Sequence, residues 1–123
     1  MGNDRRFYTR YLVNNIDANI YVNGLEVNCK ILNISEYGLC IVASNSRELA
    51  IAQNNGIVKE DSVTVQFICK NRISNQESVL TFKASIKHIE EKENEVIIGM
   101  YTNSTEFREF VMMKTVEIYR KKF

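Results

Sequence analysis

Apolar and polar residues alternate with a period of two over several short stretches of this chain, and that period belongs to half-buried strands. Residues 17–22 (DANIYV) are rich in β-formers and run into Asn23-Gly24, a strong signal for a tight hairpin turn. The next stretch, LEVNCKIL, sets Leu25, Val27, Cys29 and Ile31 on one face, which predicts a β-hairpin. The turn Ser35-Glu36-Tyr37-Gly38 then leads into LCIVA, a short buried strand. Further on, Val63, Val65, Phe67 and Cys69 alternate with Thr64, Gln66, Ile68 and Lys70, and Leu80, Phe82, Ala84 and Ile86 alternate with Thr81, Lys83, Ser85 and Lys87. The polar stretch NRISNQES joins these two strands. After EEKEN, residues 95–102 (EVIIGMYT) make a sixth strand, in which Gly99 is best explained by a bulge or a close backbone approach. Six strands in succession predict a small antiparallel β-barrel over 17–102.

Two segments read as helical. Residues 45–56 (NSRELAIAQNNG) have room for one or two helical turns. A C-terminal helix is predicted over 105–121, capped by Ser104 or Thr105, with Glu106 and Glu109 near its positive end and Arg120, Lys121 and Lys122 near its negative end. At helical spacing Phe107, Phe110, Val111 and Ile118 form one stripe, and Met112, Val116, Tyr119 and Phe123 form a second on the other side. One stripe can cover the barrel. The second is either further core contact or a partner surface, including the contact of a homodimer.

Composition narrows the function classes. With 123 residues, 45% of them hydrophobic, the chain holds one ordinary domain over residues 1–123. Sixteen Lys and Arg against fifteen Asp and Glu leave a net charge of +1, which lacks the general basic field of a DNA-binding protein. No apolar run is long enough for a membrane span, and MGNDRRFYTR lacks the apolar stretch of a signal peptide, so a soluble cytoplasmic protein is expected. Cys29, Cys40 and Cys69 are odd in number, widely spaced and set in apolar segments, which suits buried free thiols in a reducing compartment. One histidine and no CxxC leave no metal site to expect. An enzyme is not expected: Ser35 lacks a GxSxG elbow, no phosphate loop or zinc motif is present, and His88 falls in line with the inward Leu80–Ile86 set as a structural residue.

Two constellations carry possible chemistry. In Arg5-Arg6-Phe7-Tyr8-Thr9-Arg10, Arg6 and Arg10 are four apart, so their guanidinium groups point the same way on a helix or a strand. Two such forks can grip phosphate or the O6/N7 edge of guanine, and Phe7, Tyr8, Tyr11 and Leu12 would anchor the segment on the barrel. A solvated basic tail is the plain alternative, and residues 1–12 are expected to be mobile in the absence of a ligand. The second is Asn33-Ile34-Ser35-Glu36-Tyr37-Gly38. Asn33 and Ser35 project to one side of an extended backbone, and the adjacent apolar pair Ile31-Leu32 predicts a bulge just before them. The plain alternative is a turn in which these side chains bond their own backbone. Asn33-Ile34-Ser35 and Asn103-Ser104-Thr105 also fit a glycosylation sequon, which is discounted without a secretory signal.

Together and in this order, with a hairpin between them, the motifs resemble the PilZ family of bacterial cyclic di-GMP receptors: Arg6 and Arg10 match RxxxR, and Asn33, Ser35 and Gly38 match [D/N]xSxxG. The resemblance extends along the chain, because the family fold is a six-stranded antiparallel barrel with a C-terminal helix. It implies that Arg6 and Arg10 bind phosphates and guanine edges from an N-terminal segment that folds over the ligand. It implies that Asn33 and Ser35 hydrogen-bond a guanine from the barrel and that Gly38 leaves room for it. An arginine directly before RxxxR is associated in the family with two intercalated ligands, so Arg5 implies two cyclic di-GMP molecules per chain. One departure is Glu60-Asp61, where many members carry Gly-Asp before the fourth strand, which puts that loop in doubt. With no output domain, the resemblance implies a stand-alone sensor without other cofactors, acting on a further, unidentified protein. The competing readings are a PilZ-like adaptor that works by protein contact without nucleotide, or a small flavin- or nucleic-acid-binding barrel.

Overall fold

The computed structural model describes residues 11–22, 24–44, 62–70 and 76–120. Six strands and one helix follow in order: β1 (Tyr11–Val22), β2 (Leu25–Ser35), β3 (Gly38–Ala43), β4 (Ser62–Lys70), β5 (Glu77–Glu91), β6 (Val96–Tyr101) and α1 (Thr105–Arg120). Every neighbouring pair of strands is antiparallel. The sheet closes on itself in the order β1-β2-β3-β6-β5-β4, so the predicted six-stranded barrel with a C-terminal helix is the observed architecture. Residues 45–56, for which helical turns were an expectation, lie outside the described residues.

The period-two apolar faces fill the barrel. Ile20, Val27, Ile31, Leu39, Val65 and Ile98 are among the residues buried in one continuous core. Gly24 carries the positive φ (79°) of the β1–β2 turn, which Gly adopts without penalty. Leu25, at the rim beside it, shares the inward face of Val27 yet is exposed. Strand β1 starts at Tyr11, earlier than the alternation suggests, because its pairing with β2 is irregular between Leu12 and Ile16 and breaks the pattern there.

Two bulges set which residues face out. Ile31 pairs with Ile41 and Asn33 with Cys40, so Leu32 is an extra residue in β2, at the position where Ile31-Leu32 breaks the alternation. Ile86 pairs with Met100 and His88 with Gly99, so Lys87 is an extra residue in β5. The second bulge corrects the expected place of His88. Beyond it the alternation inverts, Ile89 packs against the core and His88 is exposed on the outer surface. The bulge also lies opposite Gly99 rather than at it. A Cβ on Gly99 would make ordinary contact with the His88 Cβ at 3.4 Å, so no close packing requires glycine there.

Helix α1 lays Phe107, Phe110 and Val111 into the core. The Phe107 ring lies 4.9 Å from that of Phe82, and Phe110 meets Phe67 edge-on, also at 4.9 Å. Ser104 is the cap: its Oγ accepts the Phe107 N–H at 3.2 Å. The buried Thr102 joins the barrel to this cap, its hydroxyl donating to the Lys83 carbonyl (2.7 Å) and accepting the Ser104 N–H (3.1 Å). On the second stripe Met112 is 68% exposed, and the side chains of Val116, Tyr119 and Phe123, like that of Ile118 on the first, lie outside the described set. Of the three free cysteines only Cys29 is buried. Cys40 and Cys69 are half-buried: Cys40 faces outward between the buried Leu39 and Ile41, and Cys69 packs against the core near the end of β4.

Candidate functional site

The Asn33–Gly38 motif forms the β2–β3 hairpin end. Ser35 pairs with Gly38, and Glu36 and Tyr37 make the turn between them. Because Ile34 is fully buried, Asn33 and Ser35 share the outer face, as their spacing of two predicts. Asn33 is half-buried; Ser35 is only 7% exposed, with its hydroxyl donating a long hydrogen bond, 3.4 Å, to the Gly38 carbonyl. The bond to its own turn is the plain alternative for this serine, and the geometry contains it.

Gly38 has a reason internal to the fold. A Cβ there would collide with the Met100 backbone carbonyl oxygen and approach the Ser35 Oγ at 3.8 Å. The turn is tied down further by the Thr102 N–H, which donates to the Tyr37 carbonyl at 2.9 Å. Asn33 and Ser35 therefore stand on a hairpin end held from the β6 side.

Cross-strand partners share a face of a sheet, and the registers align one outward row across five strands. Leu12 pairs with Asn33, Asn33 with Cys40, Cys40 with Gly99 and Gly99 with His88. Leu12 is 81% exposed at the head of this row, which corrects its expected role as an anchor; Tyr11, on the other face, packs against the core instead. Arg5, Arg6 and Arg10 lie outside the described residues. Tyr11, the residue that follows Arg10 in the sequence, is the partner of Ile34 on β2.

A feature the sequence reading missed adjoins this turn. The rings of Tyr37 and Tyr101 stack at 6.4 Å and 15°, and the Arg108 guanidinium lies over the Tyr37 ring at 5.1 Å. A cation in the first turns of a helix opposes the helix dipole, and that anomaly at Arg108 was the available signal. Its contact with Tyr37 offsets the unfavourable position and braces the helix start against the motif turn.

A groove of about 990 Å³ lies elsewhere. Strands β1 and β4 pair only from Ala18–Phe67 to Tyr21–Thr64, and where they part the groove opens between Ile16, Phe67, Cys69, Phe110 and Lys114. It includes none of Asn33, Ser35 or Gly38. The carboxamide, hydroxyl and close-packed turn of Asn33, Ser35 and Gly38 make the motif the stronger candidate on chemistry. Burial pushes the Cys69 thiol up from its ordinary pKa, with Lys114 acting in the opposite sense. Among the described residues no group of three or more His, Cys, Asp or Glu could hold a metal ion, and no helix is long and apolar enough to cross a membrane.

Comparison with solved structures shows the same fold at low sequence identity. The Bacillus subtilis inhibitor of motility (MotI/DgrA) superposes with a TM-score of 0.72 at 13% identity, covering 96% of this chain and 53% of the other, so this chain spans about half its length. The PilZ domain of YcgR from Escherichia coli, solved with c-di-GMP, superposes with a TM-score of 0.65 at 12% identity, covering 96% of this chain and 94% of that domain. No functionally curated protein matches the sequence. The PilZ domain profile matches residues 4–110, a span that holds both motifs and all six strands, and the chain belongs to the PilZ domain family.

Proposed function

We propose that this protein is a cyclic di-GMP receptor rather than an enzyme. The observation that supports the reading is the register of β1 against β2: Tyr11 and Leu12, which follow RxxxR directly in the sequence, lie opposite Ile34 and Asn33. A ligand with two guanines and two phosphates suits such a split site. Arg6 and Arg10 offer planar donor forks to phosphate oxygens and to the O6/N7 edge of guanine, and the Asn33 carboxamide offers a donor and an acceptor to a base edge. Ser35 adds a hydroxyl, and Gly38 keeps the turn close to β6. Arg5 supports a stoichiometry of two.

Signalling then follows from population shift. Tyr11 and Leu12, expected to belong to the mobile segment, are already paired in β1; bridging the arginines to phosphates orders the residues before them over the barrel, and the new surface so formed is read by a downstream protein. The three free thiols suit a reducing, cytoplasmic setting. A second reading, an adaptor working by protein contact alone, is favoured by the exposed Met112 on the outer side of α1.

Equilibrium dialysis of labelled cyclic di-GMP against the purified protein, with GTP as competitor, separates the two. Saturable binding that GTP does not displace and that Asn33→Ala weakens supports the receptor. Absence of binding to the folded wild-type protein at high ligand concentration leaves the adaptor.

A further inference from the structure

Helix α1 carries apolar residues on two opposite sides, and the barrel takes up one of them. Phe107, Phe110 and Val111 lie in the core, whereas Glu109 and Met112, on the far side of the helix, are exposed, Met112 by 68%. In the sequence Met112 begins a run with Val116, Tyr119 and Phe123, spaced four, three and four apart, and α1 extends through Arg120. A helix that only caps a barrel needs one apolar stripe; a second on the opposite side belongs to a helix covered on both. The spacing also says what kind of element covers the second side. Steps of four and three average 3.5 residues, the repeat of a seam between two helices, in which the side chains of one fit between those of the other.

We propose that the outer stripe of α1 pairs with α1 of a second copy of this chain, the two helices running antiparallel about a two-fold axis near Val116. The proposal stands apart from the ligand reading. Charge selects both the occupant and its direction. Glu106 and Glu109 stand near the start of α1, and Arg120, Lys121 and Lys122 follow one another at its end in the sequence. An antiparallel pair brings the acidic start of each helix to the basic end of the other, and the two-fold axis repeats that attraction. A parallel pair would set acid beside acid and base beside base. A helix of 16 residues is about 24 Å long, and two of them bury less than a standard protein interface, so the dimer is weak and depends on concentration.

Sedimentation velocity of the full chain over a concentration series reads the monomer–dimer equilibrium. We expect a dissociation constant in the micromolar range for the wild type. Met112→Glu places a carboxylate from each copy in the seam and should raise that constant about tenfold or more. Met112 is exposed, so the melting temperature of the dilute protein should not change. Glu109→Lys should raise the constant about fivefold, by turning two attractions into repulsions, and adding Lys121→Glu and Lys122→Glu to that variant should restore the dimer. A wild type that stays monomeric at its highest soluble concentration would overturn the proposal and leave the stripe to a helix of another protein. A dimer that Met112→Glu leaves unchanged would overturn it as well, placing the interface elsewhere. A dimer that Met112→Glu weakens but that the charge reversals neither weaken nor restore would overturn the antiparallel pairing.

Discussion

Leu12 and Asn33 are direct partners across the β1–β2 ladder, each next to an irregularity in its own strand. An apolar side chain left 81% exposed thus stands beside a half-buried carboxamide. Arg10 and Asn33 lie 23 residues apart along the chain, and this register sets Tyr11, the residue after Arg10, opposite Ile34.

Arg10→Ala should weaken cyclic di-GMP binding by roughly 2 to 4 kcal/mol, because it removes a charge-assisted bidentate contact. Residue 10 precedes β1 in the sequence, and the melting temperature should hardly change. Ser35→Ala should cost less affinity, since that hydroxyl is partly engaged with the Gly38 carbonyl. A paired thermal melt and titration checks this; unfolding of Arg10→Ala with unchanged affinity would make the arginine structural.

The two β-sheet glycines of the outer face should respond differently to alanine. Gly38→Ala forces a carbon into the Met100 carbonyl and should destabilise the fold by about 1 to 3 kcal/mol, as overpacking does. Gly99→Ala should be close to neutral. Urea unfolding of both variants reads the difference, and equal costs would contradict the steric account of Gly38.

Thr102→Val keeps shape and removes the hydroxyl. The Lys83 carbonyl loses its donor and the Ser104 N–H its acceptor. With the site fully buried, the cost should be about 1 to 3 kcal/mol, and amide exchange should quicken first around residues 102–107. Chemical denaturation with exchange measured by residue tests both parts.

Thiol chemistry gives a pH prediction. Burial raises the Cys69 pKa, so less thiolate is present near neutral pH than at an ordinary cysteine. Alkylation of Cys69 should climb through a higher pH than that of a free cysteine in a short peptide, whereas the buried Cys29 should react only on unfolding. Mass spectrometry after timed alkylation across a pH series reports each thiol separately.

How much of this was readable in advance depended on whether a residue type discriminates between faces. The bulge at Leu32 was legible because two adjacent aliphatic residues cannot both obey an alternating strand. The bulge at Lys87 was not, since Ser85-Ile86-Lys87-His88 alternates without a fault and histidine suits either face. Leu12 was misplaced for the related reason that an apolar residue reads as buried unless a register is known. The Asn33–Gly38 motif was visible in the sequence, but the structural need for Gly38 was not. That need comes from the Met100 carbonyl on a strand 62 residues further along, a contact only the closed barrel creates. The Tyr37–Arg108 contact is equally non-local, joining a hairpin turn to a helix start.

Isothermal titration of cyclic di-GMP into the purified wild-type protein and the Arg6→Ala variant decides whether the chain is a receptor. The expected result is micromolar or tighter binding by the wild type, a stoichiometry near two, and loss of binding in the variant. A wild-type protein that is folded yet gives no heat and no binding at high ligand concentration would contradict it, as would binding that Arg6→Ala leaves unchanged.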